Sequence, residues 1–225
     1  QIRKISQGLK NDIDNPYDSS KPKILFVEGG SQYDIYAMRS AGIDPATGKE
    51  IFIKKNGEYT FNYDEKERVA VGNTNPILQG SLMNTLRYKG FSISVATSYT
   101  FGSDYFNSTL KNKVENIDLN YNVDRRVFTD RWKEPGDHTR FLGIGTSSSS
   151  SQYSERFVEK RNELYISSIQ VMYDFAPKAI TRLGLRKLAI GFGLSDIAHI
   201  STVKFERGTE YPYCRGINLI FRPTF

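Results

Sequence analysis

Long apolar runs, cysteines and histidines are scarce in this sequence, and each scarcity excludes a class of protein or site. A helical membrane protein needs about 20 consecutive apolar residues for each span. The longest apolar stretches here are short ones such as residues 24–27. A single cysteine, Cys214, excludes an internal disulfide and a cysteine-based zinc site. The two histidines, His138 and His199, lack the spacing of metal ligands, and no Ser-His-Asp order stands out. The sequence therefore predicts no metal, no cofactor and no enzyme activity.

Aromatic side chains, in contrast, are abundant. The 225 residues include 14 Tyr, 14 Phe and one Trp, which argues against intrinsic disorder. The 31 Lys and Arg residues outnumber the 25 Asp and Glu residues, for a formal net charge of +6. Such a small excess is typical of an ordinary solvated surface and does not indicate a nucleic-acid partner.

The dominant period of the sequence is two residues, as in β-strands. Apolar or aromatic side chains recur at alternate positions in residues 78–88 and again in residues 91–99. Small and polar side chains fill most of the positions between them. The Lys89-Gly90 turn separates the two runs, so the pattern predicts a β-hairpin with one apolar and one largely polar face.

Three later segments alternate in the same way, namely residues 163–175, 187–194 and 217–225. Fainter strands are predicted at residues 24–27, 33–39 and 50–54. The connections are unequal, because residues 89–90 are a tight turn whereas residues 101–162 form a connection of about sixty residues. Such long loops are rare in compact soluble domains, and short turns at one end with long loops at the other are typical of an outer-membrane barrel.

Alternation alone leaves a soluble β-sandwich and a transmembrane β-barrel open, and three features favour the barrel. Each strong segment is about ten residues long, which suffices to cross a membrane when tilted. The aromatics lie mainly near strand ends, as in the interfacial girdles of barrels. The predicted girdle consists of Tyr88, Tyr99, Tyr165, Tyr173, Phe175, Phe192, Phe221 and Phe225. The last strand ends on an aromatic, and Leu219, Phe221 and Phe225 resemble the insertion signal of outer-membrane barrels.

The order and spacing of several short motifs resemble the C-terminal portion of SusC/RagA-type TonB-dependent transporters of the Bacteroidetes outer membrane. The matching segments are residues 28–31, 39–52, 71–76, 88–94, 130–137, 154–159 and 211–225. Residues 163–168 and 194–197 depart from the family pattern.

The resemblance implies an all-β, antiparallel transmembrane barrel, of which residues 1–225 supply roughly the last six to eight of 22 strands. The plug domain and the other strands are expected from the remainder of a longer chain or from another part of a split assembly. The final strand would end in the periplasm, with residues 89–90 and 177–186 as periplasmic turns. Residues 102–162 and 195–214 would be extracellular.

The resemblance also implies a function, namely nutrient import across the bacterial outer membrane. The expected substrates are oligosaccharides or peptides. The expected partners are a SusD-like surface lipoprotein, the TonB complex acting on the plug, and the lipid bilayer. A small free-standing barrel or adhesin and a soluble carbohydrate-binding sandwich are the alternatives.

One polar and aromatic cluster is a candidate contact for the ligand or the lipoprotein lid. It consists of Arg131, Trp132 and Arg140. Trp and Arg suit such contacts, but a loop anchored by its own Trp accounts for the same residues, and that interpretation is favoured.

Overall fold

The computed structural model describes residues 2, 4, 27–118, 120, 122–145, 153–181, 184–204 and 215–225. The chain divides into two compact units. We call residues 1–75 together with 103–160 the loop unit, and residues 76–102 together with 161–225 the sheet unit. Among the described residues, no helix is both long enough and apolar enough to cross a membrane.

Antiparallel strands dominate the described residues, and the helices are short. The strands are β1 (Asp34–Ala37), β2 (Arg39–Ile43), β3 (Glu50–Ile53), β4 (Tyr59–Thr60), β5 (Val69–Asn73), β6 (Leu78–Tyr88), β7 (Phe91–Phe106), β8 (Val158–Asp174), β9 (Lys187–Ser201) and β10 (Gly216–Thr224). The α-helices are α1 (Ser108–Val114), α2 (Arg126–Thr129) and α3 (Pro177–Ile180), and 3-10 turns lie at Glu65–Glu67 and Glu155–Phe157.

The predicted hairpin is confirmed. Strand β6 has the predicted bounds, and β7 begins at Phe91 as expected. Lys89 and Gly90 both have positive φ, 45° and 87°, which is the backbone of the two-residue turn whose twist matches that of the flanking strands. The register pairs Leu82 with Thr97 and Leu86 with Ile93, so the apolar positions of the two strands share one face.

The five long strands follow one another in a meander, in the order β6-β7-β8-β9-β10. The apolar face continues across the later strands, because Val171 pairs with Phe192 and Phe192 pairs with Leu219. The opposite face carries small and polar residues there, with Gly193 between Gln170 and Asn218. The described residues therefore supply five long strands of a partial barrel, whereas the sequence predicted six to eight strands.

Two predicted strands belong to small sheets of the loop unit. Residues 33–39 contain β1, which pairs with β5, and residues 50–54 contain β3, which lies between β2 and β4. The prediction for residues 24–27 falls almost entirely outside the described residues, as does the beginning of the matching segment at residues 211–225.

The long connection predicted at residues 102–162 is not an irregular loop. Strand β7 continues to Phe106, helices α1 and α2 follow, and β8 begins at Val158. A small core holds these pieces together, formed by Leu110, Val114, Phe141 and Phe157 with Phe106 packed against it. The prediction missed this core because its members are separated by many polar residues and show no local period.

Candidate functional site

Arg131 is an internal residue of the loop unit. It is 7% exposed, and its three guanidinium nitrogens donate to the carbonyl oxygens of Val114, Leu142 and Gly143 at 3.1, 2.7 and 2.9 Å. Burial lowers its pKa, and the nearby Glu115 carboxylate partly opposes that effect. A guanidinium held in this way fastens α1 to residues 142–143, and this geometry does not support the predicted ligand contact for Arg131.

Trp132 anchors a second segment of the loop unit. Its indole Nε1 donates to the carbonyl of Pro45 at 2.9 Å. Its ring covers Gly48, where a Cβ atom would lie 2.4 Å from the ring carbons Cδ2 and Cε3. Gly48 also has a φ of +67°, which side chains rarely adopt. The turn at residues 44–49 and the tryptophan therefore fit each other.

Arg140 is the most exposed member of the predicted contact cluster. Its side chain is 46% exposed and forms an ion pair of 2.6 Å with Glu159. It also donates to the carbonyl of Arg156 at 3.0 Å. Arg140 thus lies at the surface of the loop unit, above a buried ionic group that sequence reasoning missed.

The buried ionic group consists of Arg156, Glu50 and Glu115. The guanidinium of Arg156 contacts Glu50 at 2.7 Å and Glu115 at 3.0 Å, and all three side chains are 7% exposed or less. Glu50 also accepts a short hydrogen bond from Ser154. Glu115 accepts one from the backbone N–H of Leu142 at 2.9 Å. The group therefore joins β3, the end of α1 and the Glu155–Phe157 turn.

The pKa values of two buried cations of the loop unit, Arg156 and Lys111, shift in opposite directions. Burial works against the charge of Arg156, but the hydrogen bonds and charges of Glu50 and Glu115 outweigh it and hold the pKa of Arg156 above its ordinary value. Burial lowers the pKa of Lys111, and the charge of Glu115 opposes that effect only in part. Its ammonium lies 4.7 Å from the centre of the Tyr153 ring, a cation–π contact that supplies part of the lost solvation.

A cavity of about 320 Å³ lies beside Trp132. Its lining residues are Val127, Phe128, Arg131, Trp132, Lys133 and Ile144. We call it the Trp132 pocket.

The aromatic residues of the predicted girdle lie at two ends of the sheet unit. Tyr88, Tyr173, Phe175 and Phe221 lie at the end that carries the Lys89-Gly90 turn, and Phe225 follows β10 at the same end. Tyr99 and Tyr165 lie towards the other end, and Phe192 occupies a position between them. The structure adds Phe91, whose ring is 4.6 Å from that of Tyr173, and Phe101, whose ring is 6.0 Å from that of Tyr99. The same alternation in residues 78–101 would have found both.

The two histidines differ in setting. His138 is exposed in the loop unit, and His199 contacts Glu163 at 2.6 Å in the sheet unit. A larger cavity of about 1100 Å³ in the sheet unit includes both His199 and Glu163 in its lining. Within the part of the chain that the structure describes, no three His, Cys, Asp or Glu side chains are grouped to hold a metal ion.

Comparisons with known proteins agree with these features. No family model matches the chain. It is 25% identical over 189 residues to the TonB-dependent receptor P39 of Formosa agariphila, covering 80% of this chain and 18% of that protein. A structure of the RagAB peptide transporter superposes on 76% of this chain and 19% of that one, with a TM-score of 0.62 and 16% identity. The RagAB peptide importer in its closed-closed state gives a TM-score of 0.60 at 17% identity.

The chain thus spans about a fifth of the length of the relatives that it matches. The curated relative carries the sequence likeness, and the RagAB structures carry the likeness of fold. Together they confirm the resemblance seen in the sequence: this chain is similar in sequence to a segment of a TonB-dependent receptor and similar in its partial-barrel fold to a segment of the RagAB transporter.

Proposed function

We propose that the chain is part of a nutrient importer of the bacterial outer membrane, energised by TonB. One observation carries the proposal, namely an apolar sheet face that runs from β6 to β10 with aromatic rings towards both ends. Leu82, Leu86, Phe192 and Leu219 on that face are 44–81% exposed, and a lipid environment is the setting in which such a face is stable. The likeness to a TonB-dependent receptor and to the RagAB transporter supports import as the activity.

The partial barrel needs partners to work. Strands β6 and β10 are the edges of the described sheet, and unpaired edges are not stable in lipid. We expect the remainder of the barrel to pair with both edges and to enclose a plug that the TonB complex pulls. A SusD-like surface lipoprotein would close over the extracellular side, and oligosaccharides or peptides would be the cargo. This segment would form wall and extracellular surface and would perform no covalent chemistry.

The direction of the strands follows from their connections. The turn of residues 89–90 and the connection containing α3 are short, so the end that carries them would face the periplasm. Residues 102–162 would then belong to the extracellular side, where Arg140 and the residues of the Trp132 pocket could meet cargo or lid.

The runner-up functions predict different behaviour. A free-standing adhesin barrel would fold in the membrane as a chain of about this size. A soluble sandwich would cover its apolar face with a second sheet and would stay in solution without detergent. The likeness of the fold to RagAB over 76% of this chain favours the importer over both.

Uptake by whole cells tests the proposal. Cells that make the full-length chain would be given a labelled peptide mixture or a labelled oligosaccharide mixture, with and without a protonophore. We expect one class of cargo to accumulate only in energised cells and a surface lipoprotein to copurify with the tagged chain. Accumulation of neither class, or equal accumulation in de-energised cells, would contradict the proposal.

A further inference from the structure

The Trp132 pocket has rigid walls. Val127 is fully buried, Arg131 is fixed by three carbonyls, and Trp132 is fixed by Pro45 and Gly48. A pocket whose walls are held by other contacts loses little entropy when a ligand enters it.

Two apolar side chains of this pocket are exposed in the part of the chain that the structure describes. Phe128 is 57% exposed and Ile144 is 47% exposed, and both line the cavity. They lie in the loop unit and are not part of the apolar face of the sheet unit. Exposed apolar groups that converge on one cavity are typical of a ligand site rather than of scattered surface residues.

The chemistry of the lining selects the ligand. Four of the six side chains are apolar or aromatic, and the polar atoms of Arg131 and Trp132 already donate to carbonyls. Lys133 is the other charged residue of the lining, and it is exposed. A sugar ring would leave most of its hydroxyls unpaired there, which is unfavourable. An apolar side chain next to a carboxylate fits the lining better.

The size of the pocket points to a small occupant. A cavity of about 150 Å³ can hold benzene, so about 320 Å³ accommodates a single leucine-sized or phenyl side chain with adjoining main chain. A stable interface between proteins buries about 1,200–2,000 Å² in total, far more than one such pocket provides.

We propose that the Trp132 pocket binds one apolar side chain of a transported peptide and that Lys133 pairs with a carboxylate of the same peptide. The proposal rests on the proposed function only in taking the peptide to be cargo. This segment then contributes to the specificity of the importer. It favours peptides that carry an apolar side chain next to a side-chain or C-terminal carboxylate over glycans.

Photo-crosslinking to the detergent-solubilised full-length chain tests the pocket directly. The probe is N-acetyl-photoleucine, which has an apolar side chain and a free carboxylate. We expect crosslinks within residues 127–144. N-acetyl-leucine should displace the probe, and so prevent these crosslinks, at about fivefold lower concentration than N-acetyl-leucinamide does. Glucose should not displace the probe. Crosslinks confined to other regions, or displacement by glucose at similar concentration, would overturn the proposal.

Matched variants locate the interaction. Phe128→Ala and Ile144→Ala should each reduce crosslinking at residues 127–144 several-fold, whereas Phe61→Ala, which removes an equally exposed ring of the loop unit, should not. Lys133→Met should abolish the preference for the free acid over the amide. Equal crosslinking in Phe128→Ala and Phe61→Ala would overturn the site.

Two further readouts distinguish peptide binding in the pocket from cargo uptake and from docking of the lipoprotein. Crosslinking requires no uptake, so retained crosslinking without energised uptake would contradict the proposed function alone. If a copurified lipoprotein fills the pocket with its own side chain and blocks the probe, the occupant is the partner and the peptide proposal fails.

Discussion

Single side chains hold the loop unit in shape, and Arg156 is the most important of them. It neutralises Glu50 and Glu115 where none of the three side chains reaches water freely. Removing one partner of a buried ion pair leaves the other charge buried and uncompensated, which typically lowers the free energy of unfolding by about 3–5 kcal/mol.

Arg156→Met should therefore open the loop unit locally. We expect faster hydrogen exchange at α1 and at the Glu155–Phe157 turn in the full-length chain. Arg140→Met is the matched control, because the Arg140–Glu159 pair is partly exposed and should contribute about 1 kcal/mol or less. Equal exchange in the two variants would show that the buried group does not stabilise the unit.

Tyr63 makes the stability of the loop unit decrease at alkaline pH. Burial raises the pKa of its phenol to about 12, and its hydroxyl is buried with no hydrogen-bond partner of good geometry among the described residues. The ordinary value is about 10, so the folded state favours the neutral phenol. This contribution is fully present below about pH 10 and is lost as the pH rises towards 12.

Tyr63→Phe should remove part of that loss, because phenylalanine cannot ionise. We expect the variant to resist nicking of the loop unit by an alkali-active protease between pH 10 and 12 better than the wild type does. Burial also raises the pKa of Tyr153, so protection should be partial. Tyr59→Phe changes an exposed ring and should behave as the wild type; protection by both variants alike would contradict the role of Tyr63.

At the scale of elements, the turn at residues 44–49 packs closely against Trp132. Gly48→Ala would strain the backbone, because φ is +67°, and its new Cβ would also overlap the indole ring. Gly57→Ala meets the strain alone, because Gly57 has a φ of +91° and nothing lies within 4 Å of its would-be Cβ.

Gly57→Ala should cost about 1 kcal/mol, and Gly48→Ala about 1–3 kcal/mol more for the overpacked ring. Hydrogen exchange at residues 130–143 of the full-length chain would measure the difference. Similar exchange in the two variants would mean that the Trp132 contact contributes little to the loop unit.

The elements also show how far sequence reasoning reaches. The bounds of β6 and the turn at Lys89-Gly90 could be predicted because alternation and turn chemistry are local signals. The extension of β7 to Phe106 was missed because Gly102 and Ser103 interrupt its alternation.

The ionic group could not be predicted in the same way. Glu50 and Arg156 are 106 positions apart, and no local period relates them. Trp132 was found because a short motif resembles a known family, whereas the Trp132 pocket depends on Phe128 and Ile144, which become neighbours only after folding.

At the scale of the whole molecule, the two faces of the sheet unit should tolerate charge differently. Leu219 lies on the apolar face beside Phe192, and Asn218 lies on the other face beside Gly193. An arginine that faces lipid near the middle of the bilayer costs about 2–4 kcal/mol, whereas lumen positions tolerate charge.

Leu219→Arg should therefore reduce the fraction of folded, heat-modifiable transporter in outer membranes, and Asn218→Arg should reduce it much less. Both residues lie on β10, so an effect on strand pairing alone would appear in both. A stronger effect of Asn218→Arg would assign the faces the other way round.

The size of the native polypeptide and its response to heating show whether this chain is part of a larger outer-membrane barrel. An antibody to residues 130–137, a segment with exposed residues at its centre, would probe detergent-extracted outer membranes on a gel, with boiled and unheated samples side by side. If the chain is part of a full transporter, we expect a band much larger than the 25.7 kDa of this chain, with a mobility that shifts on heating. A soluble band of about 25.7 kDa without a heat shift would contradict it.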